Sequence, residues 1–211
     1  MNRQRGLFAL AVLVGALALW WAGTQYSRRA PNQVAEAPTG EKKTLRFYKN
    51  PPAVPDLIMH DLDGRSISSA DLRGKVTIVN FWATWCPPCR AEIPDLIALQ
   101  KKYGDRLQIV GISQDEGSVD GVKRFVAAQQ MNYPVVMTTP ELEKAFPGVT
   151  ALPTSFILDR EARVVQRHVG LLNPNLTELE TRALAGLPVN ASIEEVERGQ
   201  PARLENAAQA T

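Results

Sequence analysis

The sequence predicts an α/β fold, a mixed central sheet flanked by helices, with its globular domain at residues 54–186. Three observations predict it. The runs "VTIVNFWA" (76–83) and "LQIVGIS" (107–113) are almost continuously apolar and β-branched, as strands buried on both faces are. Segments of helical periodicity separate such runs, which places helices between parallel strands. Near the end, "TSFILD" and "RVVQRHVG" are joined only by "REA", so this pair is antiparallel and the sheet is mixed.

Each element has a local reason. "LIMHDLDGRSIS" places apolar residues on both sides of Asp63-Gly64, a hairpin-turn signal, and predicts an N-terminal β-hairpin extension. After the strand at 76–83, Ile93, Leu96, Ile97 and Leu99 give one apolar helical face, and the helix runs through Tyr103 to Gly104. Pro94 lies inside it and is expected to kink it. "VKRFVAAQQ" is a second helix, "YPVVMTT" a short strand and "ELEKAF" a short helix ending near Pro147-Gly148. Asn175 with Glu178 signals the N-cap of a last helix, which stops at Gly186-Leu187-Pro188. Ser192 with Glu195 is expected to open one more short helix. A short strand is expected at "TLRFY" within an otherwise Pro-rich linker at 27–53, and residues 187–211 read as a partly disordered extension.

Composition excludes several functions. The chain has 211 residues, 45% of them apolar, and a net charge of +2, too small to argue for a nucleic-acid partner. Its two cysteines are too few for a disulfide-stapled scaffold or a closed structural zinc site, and no glycine-rich phosphate loop is present. No metal or other cofactor is expected.

Residues 1–26 are read as a membrane anchor or signal peptide. "LFALAVLVGALALWWAG" (7–23) carries no charge and follows Arg3 and Arg5. At about 1.5 Å per residue it spans roughly 25 Å, and extension to Tyr26 brings it close to a hydrocarbon core of about 30 Å. Trp20, Trp21 and Tyr26 fall where an aromatic belt sits. Ala16 and Ala18 have the spacing of a cleavage site, but cutting there leaves "LWWAG" exposed, so a retained transmembrane helix is preferred. Arg28, Arg29, Lys42 and Lys43 follow the span, so the count of basic residues alone does not export the C-terminal domain.

Both cysteines lie in "FWATWCPPCRAEIP" (81–94), after a buried strand and at the start of a helix. That context gives a Cys-x-x-Cys pair its redox meaning. Cys86 takes the N-cap, where the Cys89 N–H and the helix dipole favour a thiolate and lower its pKa below the free value of about 8.5. Pro88 has no N–H to offer, so the lowering is smaller than in a site with both donors. Cys89, one turn inside, is the buried resolving thiol, and Cys86 the exposed attacking one. Trp82 and Trp85 are expected to be partly core, Trp85 also shielding Cys86. A haem site needs His after the second cysteine and residue 90 is Arg. A two-thiolate copper(I) site, with a chaperone-like role, and a thiol peroxidase using Thr84 and Arg90 remain alternatives. His60 and His168 are expected to be surface or packing residues, and Asp115-Glu116 a solvated loop.

"VNFWATWCPPCRAEIP" and "ALPTSFILD" together resemble the thioredoxin superfamily, and more narrowly the membrane-anchored extracytoplasmic thioredoxins of the TlpA/ResA/CcmG type. The resemblance covers residues 54 to about 185. It rests on Trp82, Trp85, both cysteines, Pro94 and Pro153, with the anchor and the hairpin as added elements. It implies a Cys86–Cys89 redox disulfide and a cis-proline at Pro153. The backbone around Leu152, Pro153 and Thr154, with Trp85, Pro87 and Pro88, would receive an extended substrate segment. It also implies a role for Glu92. Three residues after Cys89, Glu92 shares that cysteine's helical face and would sit beneath the disulfide as its proton handler. Ordinary thioredoxins keep an Asp on the preceding strand; here the position is Asn80, which cannot titrate.

The expected function is therefore a thiol–disulfide oxidoreductase, a monomer tethered to the outer face of a bacterial cytoplasmic membrane. Cys86 attacks, and Cys89 resolves with help from Glu92. Substrates implied by the resemblance are exported proteins such as apocytochrome c and the copper-site cysteines of oxidases. The implied electron donor is a membrane carrier of the DsbD/CcdA type. Potentials on this fold span about −120 to −270 mV. A Pro-Pro dipeptide, with no basic residue and one N–H lost, stabilises the thiolate less and predicts a reductant.

Overall fold

A computed structural model of the chain describes residues 43–198. The expected anchor at 7–23 lies outside them. Among the described residues no helix is long and apolar enough to cross a membrane.

A five-stranded sheet forms the centre, in the order β6 (Val135–Met137), β5 (Leu107–Ser113), β4 (Val76–Trp82), β7 (Thr154–Leu158) and β8 (Val164–Val169). Its middle strand, β4, runs parallel to β5 and antiparallel to β7. β6 extends the parallel side and β8 the antiparallel side. Every residue of β4 is buried, as its unbroken apolar run requires.

The side-chain alternation of β4 sorts the core into two layers. Val76, Ile78 and Trp82 face α1 (Pro87–Tyr103) and α2 (Val119–Ala128). Val79 and Phe81 face α3 (Pro140–Ala145), where Phe81, Phe146 and Phe156 pack with ring centroids 5.3 to 6.0 Å apart. α1 buries Cys89, Glu92, Ile93, Leu96 and Leu99, the i, i+3, i+4 stripe of a core-facing helix with one carboxyl set in it. α1 continues through Pro94, which offers no N–H to the Arg90 carbonyl.

Before the sheet, β2 (Ile58–His60) pairs antiparallel with β3 (Ser66–Ser68). The turn between them is set by Asp61, whose Oδ1 accepts from the N–H groups of Asp63 and Arg65 at 2.9 and 2.8 Å. Gly64 there takes φ +83°, which an L side chain resists.

Two expectations are corrected. The last helix, α4 (Pro174–Leu184), is capped by Asn173, not Asn175: the Asn173 side chain accepts from the Leu176 N–H, and Pro174 fills the first helical position. Ser192 and Glu195 open no helix. They lie in β9 (Ala191–Val196), which pairs parallel with β1 (Lys43–Tyr48). Partners far apart in sequence decide this: Thr44 Oγ1 meets Ser192 Oγ, and Arg46 Nε donates to Glu194, both at 3.0 Å. β1 in turn buries Leu45 and Phe47 in the core.

Candidate active site

β4 delivers the chain to the site and α1 carries it away. The turn between them is held by Asp115, just beyond β5. Its carboxylate accepts from the Thr84 N–H at 2.9 Å, the Thr84 hydroxyl, and the Ser113 hydroxyl at 2.8 Å. Asp115 is thus a buttress of the loop before Cys86 and not a solvated residue. Its signal in the sequence is a short polar side chain two positions before it, at the end of a strand, which favours a local turn. The same bonds engage Thr84, and the Arg90 guanidinium lies over the Phe125 ring at 5.9 Å.

Cys86 is the N-cap of α1 and is joined to Cys89 by a disulfide. The Cys89 N–H donates to Cys86 Sγ at 3.3 Å. Pro87 and Pro88 occupy the first two helical positions and contribute no donor. The two sulfurs are unequal, but less than expected: Cys86 keeps 4% of its surface exposed, Cys89 none. Trp85 departs further from expectation. It is 66% exposed and no part of the core, whereas Trp82 is buried and stacks on Phe125 at 5.5 Å.

The Leu152–Pro153 peptide is cis. The Pro153 carbonyl accepts from the Gly170 N–H at 2.8 Å, and the Thr154 hydroxyl donates to the Ala151 carbonyl at 2.7 Å. Cys86, Trp85, Pro87, Pro88 and Leu152 border one groove of about 470 Å³ with Gln114, Val149, Thr150 and Ala151. The last four were not expected at the site; they come from loops after β5 and before β7, and only the fold brings them to Cys86. Pro153 and Thr154 are buried and do not line the groove. Among the described residues, none that lines it carries a formal charge.

Glu92 is 3% exposed. Its Oε1 accepts from Asn80 Nδ2 at 2.7 Å and its Oε2 from the Leu172 N–H at 3.1 Å. The Asn80 amide also donates to Ser155 Oγ at 2.9 Å. Burial pushes the Glu92 pKa up to about 7, against the two donated bonds, with the Asp95 carboxylate adding to the rise. A carboxyl poised there gives or takes a proton at neutral pH. Glu92 also borders a second cavity of about 250 Å³ between α1 and α4, shared with Asp95, Lys102 and Glu178. Among the described residues no cluster of three or more His, Cys, Asp or Glu is arranged to hold a metal ion.

His168 is a packing residue with a polar partner. Its Nε2 lies 3.1 and 3.0 Å from the two oxygens of the buried Glu180 on α4.

Residues 52–167 match the AhpC/TSA family. The thiol-disulfide oxidoreductase ResA of Bacillus anthracis is 36% identical over 131 residues, which cover 62% of this chain and 73% of that protein. ResA of Bacillus subtilis is 31% identical over 58% of this chain and 68% of its own length. Among solved structures, a thiol:disulfide interchange protein of the thioredoxin family from Chlorobium tepidum TLS is 38% identical, with a TM-score of 0.61. The match covers 65% of this chain and 98% of that one.

Proposed function

The chain belongs to the AhpC/TSA family and is a thiol–disulfide oxidoreductase of thioredoxin fold related to ResA; from that premise we propose that it reduces disulfides of exported proteins. In this reading the Cys86 thiolate attacks a substrate disulfide and forms a mixed disulfide. Cys89 gives its proton to Glu92, attacks Cys86 Sγ, and releases the substrate thiolate. The products are a reduced substrate and the Cys86–Cys89 disulfide, which a membrane dithiol carrier of the DsbD/CcdA type reduces again. Residues 7–23 anchor the chain, with the domain outside the cytoplasmic membrane. Apocytochrome c and oxidase copper-site cysteines are the substrate classes that fit this placement.

The observation that carries the reading is Glu92: a buried carboxyl one helical turn beyond Cys89, held by two neutral donors, with a pKa of about 7. The reductive direction rests on the Pro-Pro dipeptide, which leaves Cys86 Sγ with the Cys89 N–H as donor.

Insulin-disulfide reduction by the full chain tests it. Cys86→Ala is expected to abolish turnover and Glu92→Gln to lower it by about 10²-fold. A measured potential near −120 mV, the oxidising end of the range, reverses the direction. In intact spheroplasts, added protease should digest the domain; protection would place it in the cytoplasm.

A further inference from the structure

Gly170, Leu171 and Leu172 join β8 to α4, and their N–H groups reach both halves of the site. The Gly170 N–H holds the Pro153 carbonyl at 2.8 Å. The Leu172 N–H holds Glu92 Oε2 at 3.1 Å. Both flanks of this segment are tied to the same helix. Upstream, His168 pairs with Glu180 of α4. Downstream, Asn173 caps α4 through the Leu176 N–H at 3.1 Å. With its ends fixed on one element, the segment has little slack, and a shift at Leu172 is passed to Gly170 across one residue. Gly170 takes φ +89°, so this path suits glycine.

We propose that Gly170–Leu172 is a positioning segment that couples the protonation of Glu92 to the hold of the Pro153 loop on the polypeptide in the groove. The inference rests on the reading of Glu92 given above. Ionised, Glu92 accepts a charge-assisted bond from Leu172, roughly twice as strong as a neutral one. When Cys89–SH gives its proton to the Glu92 carboxylate, the products are a Cys89 thiolate and a neutral carboxylic acid. The thiolate then closes the disulfide and expels the substrate sulfur as a thiolate. The same proton weakens the bond to Leu172, so the segment relaxes and the Pro153 loop loosens as the product is formed. Linkage makes the effect reciprocal: an occupied groove favours ionised Glu92, the form that accepts the Cys89 proton.

Other titratable groups surround Glu92. Asp95 raises its pKa from the same helix. Tyr133, before β6, is itself pushed up by burial and then by the Glu92 charge, so its phenol stays neutral. Lys102 and Glu178 share the cavity and hold each other charged at 2.7 Å. In the oxidised protein the two cysteines carry no proton.

The test uses the oxidised full chain and S-methylated insulin B chain, an unreactive mimic of a reduced product, with Kd read by isothermal titration calorimetry. Binding should weaken by about fivefold from pH 8 to pH 6. In Glu92→Gln it should be weak at both pH values. The Gly170 and Leu172 amide resonances should titrate together, with the midpoint of the Glu92 carboxyl carbon. Leu171→Gly slackens the segment at an exposed position. There Leu172 should still titrate while Gly170 does not. A wild-type Kd independent of pH, the same pH dependence in Glu92→Gln, or a silent Gly170 amide in the wild type overturns the coupling. Insulin reduction by the same preparation reports separately on the dithiol reaction, which continues if the coupling alone is wrong.

Discussion

Two glutamates are buried on the same side of the sheet, and they have opposite surroundings. Glu92 on α1 is 3% exposed and Glu180 on α4 is 1% exposed. Beneath them runs one row of side chains across three adjacent strands. Asn80 on β4 stands opposite Ser155 on β7, and Ser155 opposite His168 on β8. At the Glu92 end the row offers an amide, and at the Glu180 end an imidazole. An amide donates a hydrogen bond but brings no charge, so the cost of burying Glu92 as an anion is not offset and its carboxyl keeps a proton up to about pH 7. The imidazole sets its Nε2 3.1 and 3.0 Å from the two Glu180 oxygens. Equal burial therefore leaves the Glu92 carboxyl to give or take a proton near neutral pH, while Glu180 is paired with His168 and ties β8 to α4.

The strongest way to break this contrast is to delete the second glutamate. Glu180→Ala leaves His168 facing a void, with no acceptor in place of the two carboxylate oxygens. Breaking a buried pair costs roughly 3–5 kcal/mol, and the lower end applies because the His168 side chain is 21% exposed. Urea unfolding should show a loss of about 3 kcal/mol. A loss under about 1 kcal/mol would mean that the pair is not structural.

The contrast also fixes how stability depends on pH. The folded-state pKa of Glu92 is raised from 4.5 to about 7, so the folded protein binds the extra proton between those values. Its contribution is fully present below pH 4.5 and is lost as pH rises through 7. At about 1.4 kcal/mol per pH unit the loss is roughly 3 kcal/mol. Glu92→Gln removes the titration. The difference in unfolding free energy between wild type and Glu92→Gln should therefore shrink, or reverse, from pH 4.5 to pH 8 by about that amount. A difference that stays constant with pH would show that the carboxyl is not desolvated in the folded state.

Periodicity and the Cys-x-x-Cys context made the sheet, the helix at 87–103 and the cysteine pair legible, because each is a local pattern. Glu92 is legible from its place on the Cys89 face of that helix together with a family resemblance. The rest depends on partners distant in sequence. β9 carries the polar spacing of a helix start, yet Thr44 and Arg46 draw it into a strand. Asp115 sits in a loop of ordinary composition and becomes a buttress through Thr84, 31 residues away. His168 looks like any strand histidine until α4 brings Glu180 to it. Trp85 follows the pattern of a core aromatic, but the strand ends at Trp82 and leaves it outside.

The smallest change sharpens the contrast at its other end. Asn80→Asp nearly preserves the shape of the row and alters its chemistry. Asn80 now donates to Glu92 Oε1 at 2.7 Å and to Ser155 Oγ at 2.9 Å. An ionised Asp donates neither bond and adds a like charge beside Glu92. Two carboxyls at such a distance share one proton, and the upper apparent pKa of the pair rises. The pH profile of insulin reduction should then move its inflection from near 7 upward by about one unit, equivalent to about 1.4 kcal/mol. Ser155 would turn its hydroxyl to donate toward the new carboxylate, which limits the rise. An inflection left at 7 would show that burial alone tunes Glu92, and that the amide in the row contributes nothing to the difference between the two glutamates.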